Sequence, residues 1–490
     1  MADAPRRVAQ LDTRERRELL GRLIDRRGRR SKERLARRVA PGERVPASMA
    51  QQRLWFLDQL APGNPFYNVP FALRIRGDLD VDALRRAVTE IVTRHDALRT
   101  TFVGEGGVPY QVVSPPGEIE FPVTDLTSLP ESERDDAAMR AACEDAARPF
   151  DLARGPLFRA GLIRISERDH VLTTTTHHIV IDGTSIEVMA RELSALYGAF
   201  STGRPSPLPE LEVQYPDFSE WQRENTSGDE LEKHLDYWRE KLAGLSVLDM
   251  PTDRPRPREQ TFRGAVAMRV VPRDVLDALK AYANRAGGSL FIGLLAAFDA
   301  LLHRYTGQDD VVLGSMTAGR VRREIEPLIG FFVNTIVVRT DVGGNPTYAE
   351  LVERVKRDIF DARTHDAVPF ERLVDELDAE RDKSRNPLFQ ISFTGQNSAL
   401  FGGGFVLGDA EVSQFPVDPG VSRFDLSVQV GERADGLVVW IDYSTDLFDA
   451  DRIERMLAHY ENVLRAVAAD PDVRVGDIEL LTDAERDAAI

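Results

Sequence analysis

The residues best suited to chemistry gather in one short segment, HHIVIDG at 177–183, which brings together His177, His178, Asp182 and Gly183. Two imidazoles and a carboxylate at this spacing can supply a general base, an orienting pair or a metal site. The surrounding pattern narrows the choice. VLTTTTHHIVID alternates and is rich in Thr and Val, so it reads as a strand, and SIEVMARELSALYGAF behind it reads as a helix. Successive side chains on a strand face opposite ways, so His177 and His178 serve separate tasks. One should support the core or the backbone while the other faces a cleft. Opposed imidazoles also make poor co-ligands, which argues against a metal.

Thr184 precedes Glu187 by three residues, a capping-box spacing for the helix that follows, with Ser185 between them. A histidine beside a helix N-terminus is held neutral and can act as a base. The carboxylate of Asp182 could be a base, an orienter of the histidine or half of a structural ion pair. Other chemistries lack their signatures. The sequence has no GxSxG nucleophile elbow and no phosphate-cradling glycine loop with lysine. Cys143 sits in a helical AACEDAA run with no histidine nearby, so it reads as a packing residue. Ser289 in RAGGSLF reads as the cap of an apolar helix. The remaining chemistry is transfer between substrates held in place, without a covalent enzyme intermediate.

Positioning such a site takes a large frame. One core rarely grows past about 250–300 residues, so 490 residues predict two subdomains. A body that is 42% hydrophobic and 29% charged fits a globular protein. Strands and helices alternate on both sides of a Pro-rich break, STGRPSPLPELEVQYPDF, which predicts two α/β sandwich-like subdomains at 46–222 and 223–490. Helices are expected at 81–95, 275–285, 347–364 and 450–468, with a long apolar one at SLFIGLLAAFDALLHRY. No run of about 20 apolar residues is present, the start is too polar for a signal peptide, and one cysteine makes no disulfide framework. A cytoplasmic protein with no membrane role is expected.

Net charge is −17, yet the first 40 residues hold 14 Arg or Lys against 6 Asp or Glu. Residues 1–45 therefore read as a basic linker or docking helix for a neighbouring protein, with Leu19, Leu20, Leu23 and Ile24 as its apolar stripe. Nucleic acid is a poor partner, because the acidic body would repel phosphate.

HHIVIDG resembles the HHxxxDG signature of the condensation-domain superfamily, which includes chloramphenicol acetyltransferase-like enzymes. Further segments resemble the motifs of nonribosomal peptide synthetase condensation domains, in order across residues 48–390. They are SMAQQRLWFL, TRHDALRTTF with Arg94, His95 and Arg99, QYPDFSEWQ, IGFFVNT, HDAVPFERLV and RDKSRNPLFQ. The resemblance implies two acetyltransferase-like subdomains in a V-shaped pseudo-dimer with a central tunnel. Two peptidyl carrier proteins would insert phosphopantetheine arms from opposite faces, and the domain itself would bind no cofactor. The acceptor amine would then attack the donor thioester to form an amide.

The same resemblance implies residue roles. His178 matches the histidine beside the reacting amine, as base or positioning group, and His177 is its supporting neighbour. Asp182 matches an aspartate that pairs with an arginine, here Arg320 in TAGR. Gly183 would allow close backbone approach, Arg99 would be structural support, and Thr184, Ser185 and Asn334 would lie near the substrate. Thr184 stands where Trp is common, and FTGQNSALFGGGF departs from the usual sequence, so acceptor pocket and gating are expected to differ. An L-configured donor is the expected subtype. LLTDAERDAAI resembles the junction toward an adenylation domain, whose own signature is absent here. An ester-forming free-standing acyltransferase and a non-catalytic recruitment module are the alternatives.

Overall fold

The computed structural model describes residues 35–37, 39–40, 42–226, 228–377, 382–396, 404–482 and 485–487. The proposed docking helix, with its Leu19–Ile24 stripe, lies outside the described residues, as do residues 397–403 of the unusual glycine-rich segment.

The first half runs β1 (Arg44–Pro46), α1 (Met49–Leu60), β2 (Asn68–Arg76), α2 (Val81–Arg94), β3 (Thr100–Glu105), β4 (Val108–Val113), β5 (Val123–Asp125) and α3 (Glu131–Ala147). It continues through β6 (Phe158–Ser166), β7 (Asp169–His177), α4 (Gly183–Phe200), α5 (Tyr215–Asn225) and α6 (Asp229–Lys241). The second half holds β8 (Gly264–Pro272), α7 (Arg273–Arg285), α8 (Leu290–Thr306), β9 (Asp310–Thr317), β10 (Asn334–Asp341), α9 (Tyr348–Thr364) and α10 (Phe370–Glu376). It ends with β11 (Ile391–Gln396), β12 (Glu411–Gln414), β13 (Leu426–Arg433), β14 (Gly436–Ser444) and α11 (Ala450–Ala469).

Two mixed sheets carry the halves, in the orders β12-β2-β7-β6-β5 and β10-β9-β11-β13-β14-β8, with a small β1-β4-β3 sheet beside the first. Each packs its helices through the apolar stripe the sequence predicts. Helix α2 buries Leu84, Ala87, Val88, Ile91 and Val92 against the first sheet and α4. Helix α8 is apolar on all sides because it is the central helix of the second core, buried from Gly293 to Leu302. No single described helix is long and apolar enough to cross a membrane.

The subdomain boundaries are less clean than the sequence suggests. Leu35 is buried in the core near Phe102 and Tyr215, and β1 pairs with β4, so the segment assigned to an appendage through residue 45 enters the body before its end. The 223–490 segment also crosses back. Its β12 adds to the first sheet at β2, with Val412 opposite Ile75, and Phe405 and Leu407 join the first core. Chain returns of this kind leave little trace in local periodicity. The YPDF of the Pro-rich break is helical too, since Pro216 at the first turn starts α5 rather than interrupting it.

One core residue contradicts its surroundings. Asp299 on α8 is 1% exposed, and both carboxylate oxygens lack a hydrogen-bond partner among the described residues. The Thr340 hydroxyl is near enough to ease the charged form, but burial dominates and pushes the Asp299 pKa well up. A carboxyl with a raised folded pKa favours folding at low pH and costs stability as pH rises above its unfolded value. Asp299→Ala should therefore raise stability at pH 7 by about 1–3 kcal/mol, read as a higher urea midpoint, with a smaller gain at pH 4.

Candidate active site

The strand β7 does not run through the whole motif. It ends at His177, opposite Asn68 of β2, and the chain then tightens into a 3-10 turn over His178–Val180 before α4 begins at Gly183. The His178 amide donates to the Tyr67 carbonyl (2.7 Å) rather than to the β2 ladder. This bend separates the two histidines as strand alternation had suggested, by a turn instead of a pleat.

His177 is the buried one. It is 3% exposed, its Nδ1 accepts from the Ile179 amide (3.1 Å), and Phe150 meets it edge-on. Burial first, then His178 and Arg423, push its pKa down to about 3. His178 is held differently. Its Nδ1 lies 2.7 Å from the Ile181 carbonyl, which can only accept, so the proton sits on Nδ1 and Nε2 carries a lone pair that no described residue engages. Phe331 packs edge-on against the ring at 5.0 Å. Protein surrounds His178 closely, yet part of its surface stays reachable by water. Burial and then the Arg423 charge hold its pKa down at about 4, so the imidazole is neutral at working pH.

Lowered histidine pKa values also set a pH slope. Between pH 6.5 and about 4 the unfolded chain binds protons that the folded site refuses, so stability falls as pH falls through that window. Each histidine contributes on the order of 2 kcal/mol to that loss by pH 5. Comparing urea midpoints at pH 7 and pH 5, His178→Ala should lose less stability on acidification than the unsubstituted protein.

Asp182 is a hub. It caps α4, with Oδ1 accepting from the Ser185 amide (2.8 Å) and the Ser185 hydroxyl (2.7 Å). Oδ2 accepts from Arg320 Nη1 (2.8 Å) and the Phe332 amide (3.0 Å). The helix cap is therefore Asp182, two residues before the Thr184 proposed from the capping-box spacing, because a carboxylate here reaches the N3 amide directly. Arg320 also donates to Ser185 Oγ (3.0 Å) and the Leu328 carbonyl (3.0 Å), and lies over the Phe332 ring at 4.4 Å. The 319–334 segment is thus bolted onto the motif turn. Gly319 and Gly330 allow that closeness: at φ +60° a Cβ on Gly319 would lie 1.8 Å from the Phe332 carbonyl oxygen, and one on Gly330 would lie 2.2 Å from the Tyr215 ring.

Other predicted motif segments buttress the same turn. Gln51 of α1 donates to the Ile179 carbonyl (3.0 Å), and Tyr215 joins Ser48 to the Phe331 carbonyl. His95 accepts from the Ile329 amide at Nδ1 (3.1 Å) and so donates from Nε2 to Glu192 (2.9 Å), beside Arg94. Two of the residues named from sequence stand apart from this network. Arg99 donates to the carbonyls of Val92, Thr93 and Ser114, closing the C-terminal end of α2. Asn334 spends its amide on the loop before α10, donating to Asp366 and Val368 carbonyls and accepting from the Phe370 amide. Thr184 is half-buried, and Gly183 is exposed; among the described residues the atom nearest to where its Cβ would be is Gln396 Oε1, at 3.9 Å.

Sequence reasoning missed the polar wall supplied by the second half. Gln396, Gln429 and Asp442 sit on the adjacent strands β11, β13 and β14, linked by Gln396 Nε2 to Gln429 Oε1 (2.5 Å) and Gln429 Nε2 to Asp442 Oδ2 (2.7 Å). Arg423 donates to the Phe66 carbonyl (3.0 Å) and lies over the Tyr67 ring. Their only sequence trace is two glutamines and an aspartate in strands otherwise apolar on alternate positions, with Arg423 shortly before β13.

The condensation-domain family model matches residues 42–489. The chain is 44% identical over 457 residues to a linear gramicidin synthase of Brevibacillus parabrevis, covering 91% of this chain and 6% of that protein. It is 46% identical over 442 residues to chondramide synthase cmdD of Chondromyces crocatus, covering 90% of this chain and 11% of that protein. The chain thus spans about a tenth or less of these relatives. Among solved structures, the X-domain from teicoplanin biosynthesis superposes with a TM-score of 0.80 at 29% identity, over 92% of this chain and all of that one. The first condensation domain of the calcium-dependent antibiotic synthetase shares the fold, with a TM-score of 0.76 at 23% identity over 90% of this chain and all of that one. With HHIVIDG built into a neutral, buttressed histidine turn and the match running through nearly the whole chain, the protein belongs to the condensation-domain family.

Proposed function

We propose that this domain forms amide bonds in nonribosomal peptide assembly, with one carrier protein presenting an acyl or peptidyl thioester and a second presenting the attacking amine. The observation that carries the reading is His178: neutral, fixed in one tautomer by the Ile181 carbonyl, partly exposed, and with no described residue hydrogen-bonded to Nε2. The phosphopantetheine arms belong to the carriers and enter as substrate. His178 accepts a hydrogen bond from the amine and takes its proton as the C–N bond forms. Asp182 serves the scaffold, since both its oxygens are committed to Ser185, Arg320 and Phe332. An L-configured donor, an adjacent adenylation domain and a cytoplasmic setting complete the proposal.

A recruitment module is the second reading, favoured by the likeness to the X-domain from teicoplanin biosynthesis, which was also solved in complex with OxyB. Incubation with two loaded carriers, followed by intact-mass analysis, separates the readings. A dipeptidyl carrier product supports the enzyme. Binding without transfer, for every donor tried, supports recruitment, and product with hydroxyacyl but not aminoacyl acceptors supports an ester-forming enzyme.

A further inference from the structure

We propose that Arg423 is a positioning residue for His178: reaching from the second half, it fixes the loop of Phe66 and Tyr67 on which the catalytic turn hangs. The inference rests on the amide-forming reading, with His178 as its base, and adds a residue to it. A general base works only when its lone pair meets the proton in line. A misplacement of about 1 Å can cost on the order of 10²-fold in rate. His178 lies on a turn of the first half, so whatever holds the backbone of that turn decides where Nε2 points.

The contacts run in one unbroken line. Arg423 Nε donates to the Phe66 carbonyl (3.0 Å), and the next carbonyl, that of Tyr67, accepts from the His178 amide (2.7 Å). These two carbonyls belong to consecutive planar peptide units joined only by the φ and ψ of Tyr67. A tilt of the first unit therefore passes to the second. The guanidinium also covers the Tyr67 ring, with Cζ 5.3 Å from its centroid, which restrains the residue between the two units. The Phe66 and Asn68 amides are spent within the loop, on Asn64 Oδ1 (3.1 Å) and the Pro65 carbonyl (2.9 Å). Its carbonyls are what the loop offers to the rest of the molecule.

Arg423 stands on a stiff base. Its own carbonyl accepts from Asn386 Nδ2 (2.7 Å), and the Ser422 amide donates to the Phe262 carbonyl (2.9 Å). The Gly264 amide donates to the Gly420 carbonyl (3.0 Å), and a Cβ on Gly264 would lie 2.5 Å from the Ser422 nitrogen. The two strips therefore run backbone against backbone. Phe262 is held at φ +58°, a left-handed conformation that a β-carbon disfavours, and its ring packs on Phe66 at 4.3 Å. The second half thus grips Phe66 by its ring and by its carbonyl. The far end of the turn is tied to the same half, since Asp182 meets Arg320 and the Phe332 amide. Both ends are anchored across the junction, so the turn keeps its shape only while the halves stay engaged.

Charge agrees with this placement. After burial, Arg423 is the main influence holding the His178 pKa down, while Asp182, itself paired with Arg320, opposes it. His177 feels the same cation. Burial lowers the pKa of Arg423 itself, and Tyr67 and Asp442 oppose that. A guanidinium that acts on both imidazoles lies near the pair, so its removal has an electrostatic signature as well as a geometric one.

The test is a double-mutant cycle of Arg423→Met and His178→Ala, read as single-turnover formation of dipeptidyl carrier per folded molecule. Arg423→Met alone should lower the rate at least tenfold. In the His178→Ala background the same change should alter the residual rate less than twofold, because no imidazole remains to be placed. An unaltered rate for Arg423→Met overturns the proposal, as does an equal fold-loss in both backgrounds, which an independent role would give. Titration of the His178 imidazole by NMR, its signal assigned by its loss in His178→Ala, is the second readout. Arg423→Met should move that titration up from about 4, and an unmoved titration also overturns the proposal. Arg423→Gln serves both measurements if Arg423→Met does not fold, with at least a threefold loss of rate expected. Failure of the unsubstituted protein to join any acyl and aminoacyl pair would instead count against the amide-forming reading itself.

Discussion

His178→Ala lowers the rate of dipeptidyl product formation by about 10²–10⁴-fold, the range a positioned general base contributes. Carrier binding should change little, because the His178 ring contacts the Phe331 edge and the Ile181 carbonyl rather than an outer surface. The control is His177→Asn. It retains a polar side chain near the Ile179 amide while removing the imidazole, and it should cost stability more than turnover per folded molecule. Intact-mass rates corrected for the folded fraction distinguish the two. If His177→Asn abolishes turnover and His178→Ala leaves it at the starting rate, the roles assigned to the pair are reversed. The pH profile supplies an independent check. With its pKa near 4, His178 stays neutral above about pH 5, so an acid limb near 6 must come from another group.

The motif and the separation of its two histidines were legible in the sequence because they are local. A β-branched run, two histidines and a capped helix start follow one another within a few residues, and the structure keeps that order. The long helices were legible for the same reason: α2, α8 and α11 each carry a full apolar stripe or an apolar circumference. What periodicity did not reveal is long-range. Nothing local says that β12 returns to the first sheet, that Leu35 enters the core, or that Gln396, Gln429 and Asp442 align on neighbouring strands. The choice of Asp182 over Thr184 as helix cap is a third kind of case. Both residues suit the position by type, and the choice goes to the one whose oxygens also meet Arg320 and Phe332 from another segment.

That tertiary role makes Asp182 the residue whose loss is most easily misread. Asp182→Ala removes the α4 cap and leaves Arg320 charged, 5% exposed at its side chain, without its carboxylate. Breaking a buried pair from one side costs about 3–5 kcal/mol, so the variant should unfold at markedly lower urea and show little activity in ordinary preparations. Replacing both members is predicted to behave otherwise. Asp182→Asn with Arg320→Met leaves no uncompensated charge, keeps an acceptor for the Ser185 amide and preserves apolar contact with Phe332, so it should recover a few kcal/mol of the loss. The decisive measurement is turnover per folded molecule in the double variant. A scaffold role for Asp182 requires turnover to return with stability, because His178 keeps its tautomer through Ile181 and not through Asp182. Should stability return while turnover stays lost, the carboxylate takes part in the chemistry and the scaffold assignment is wrong.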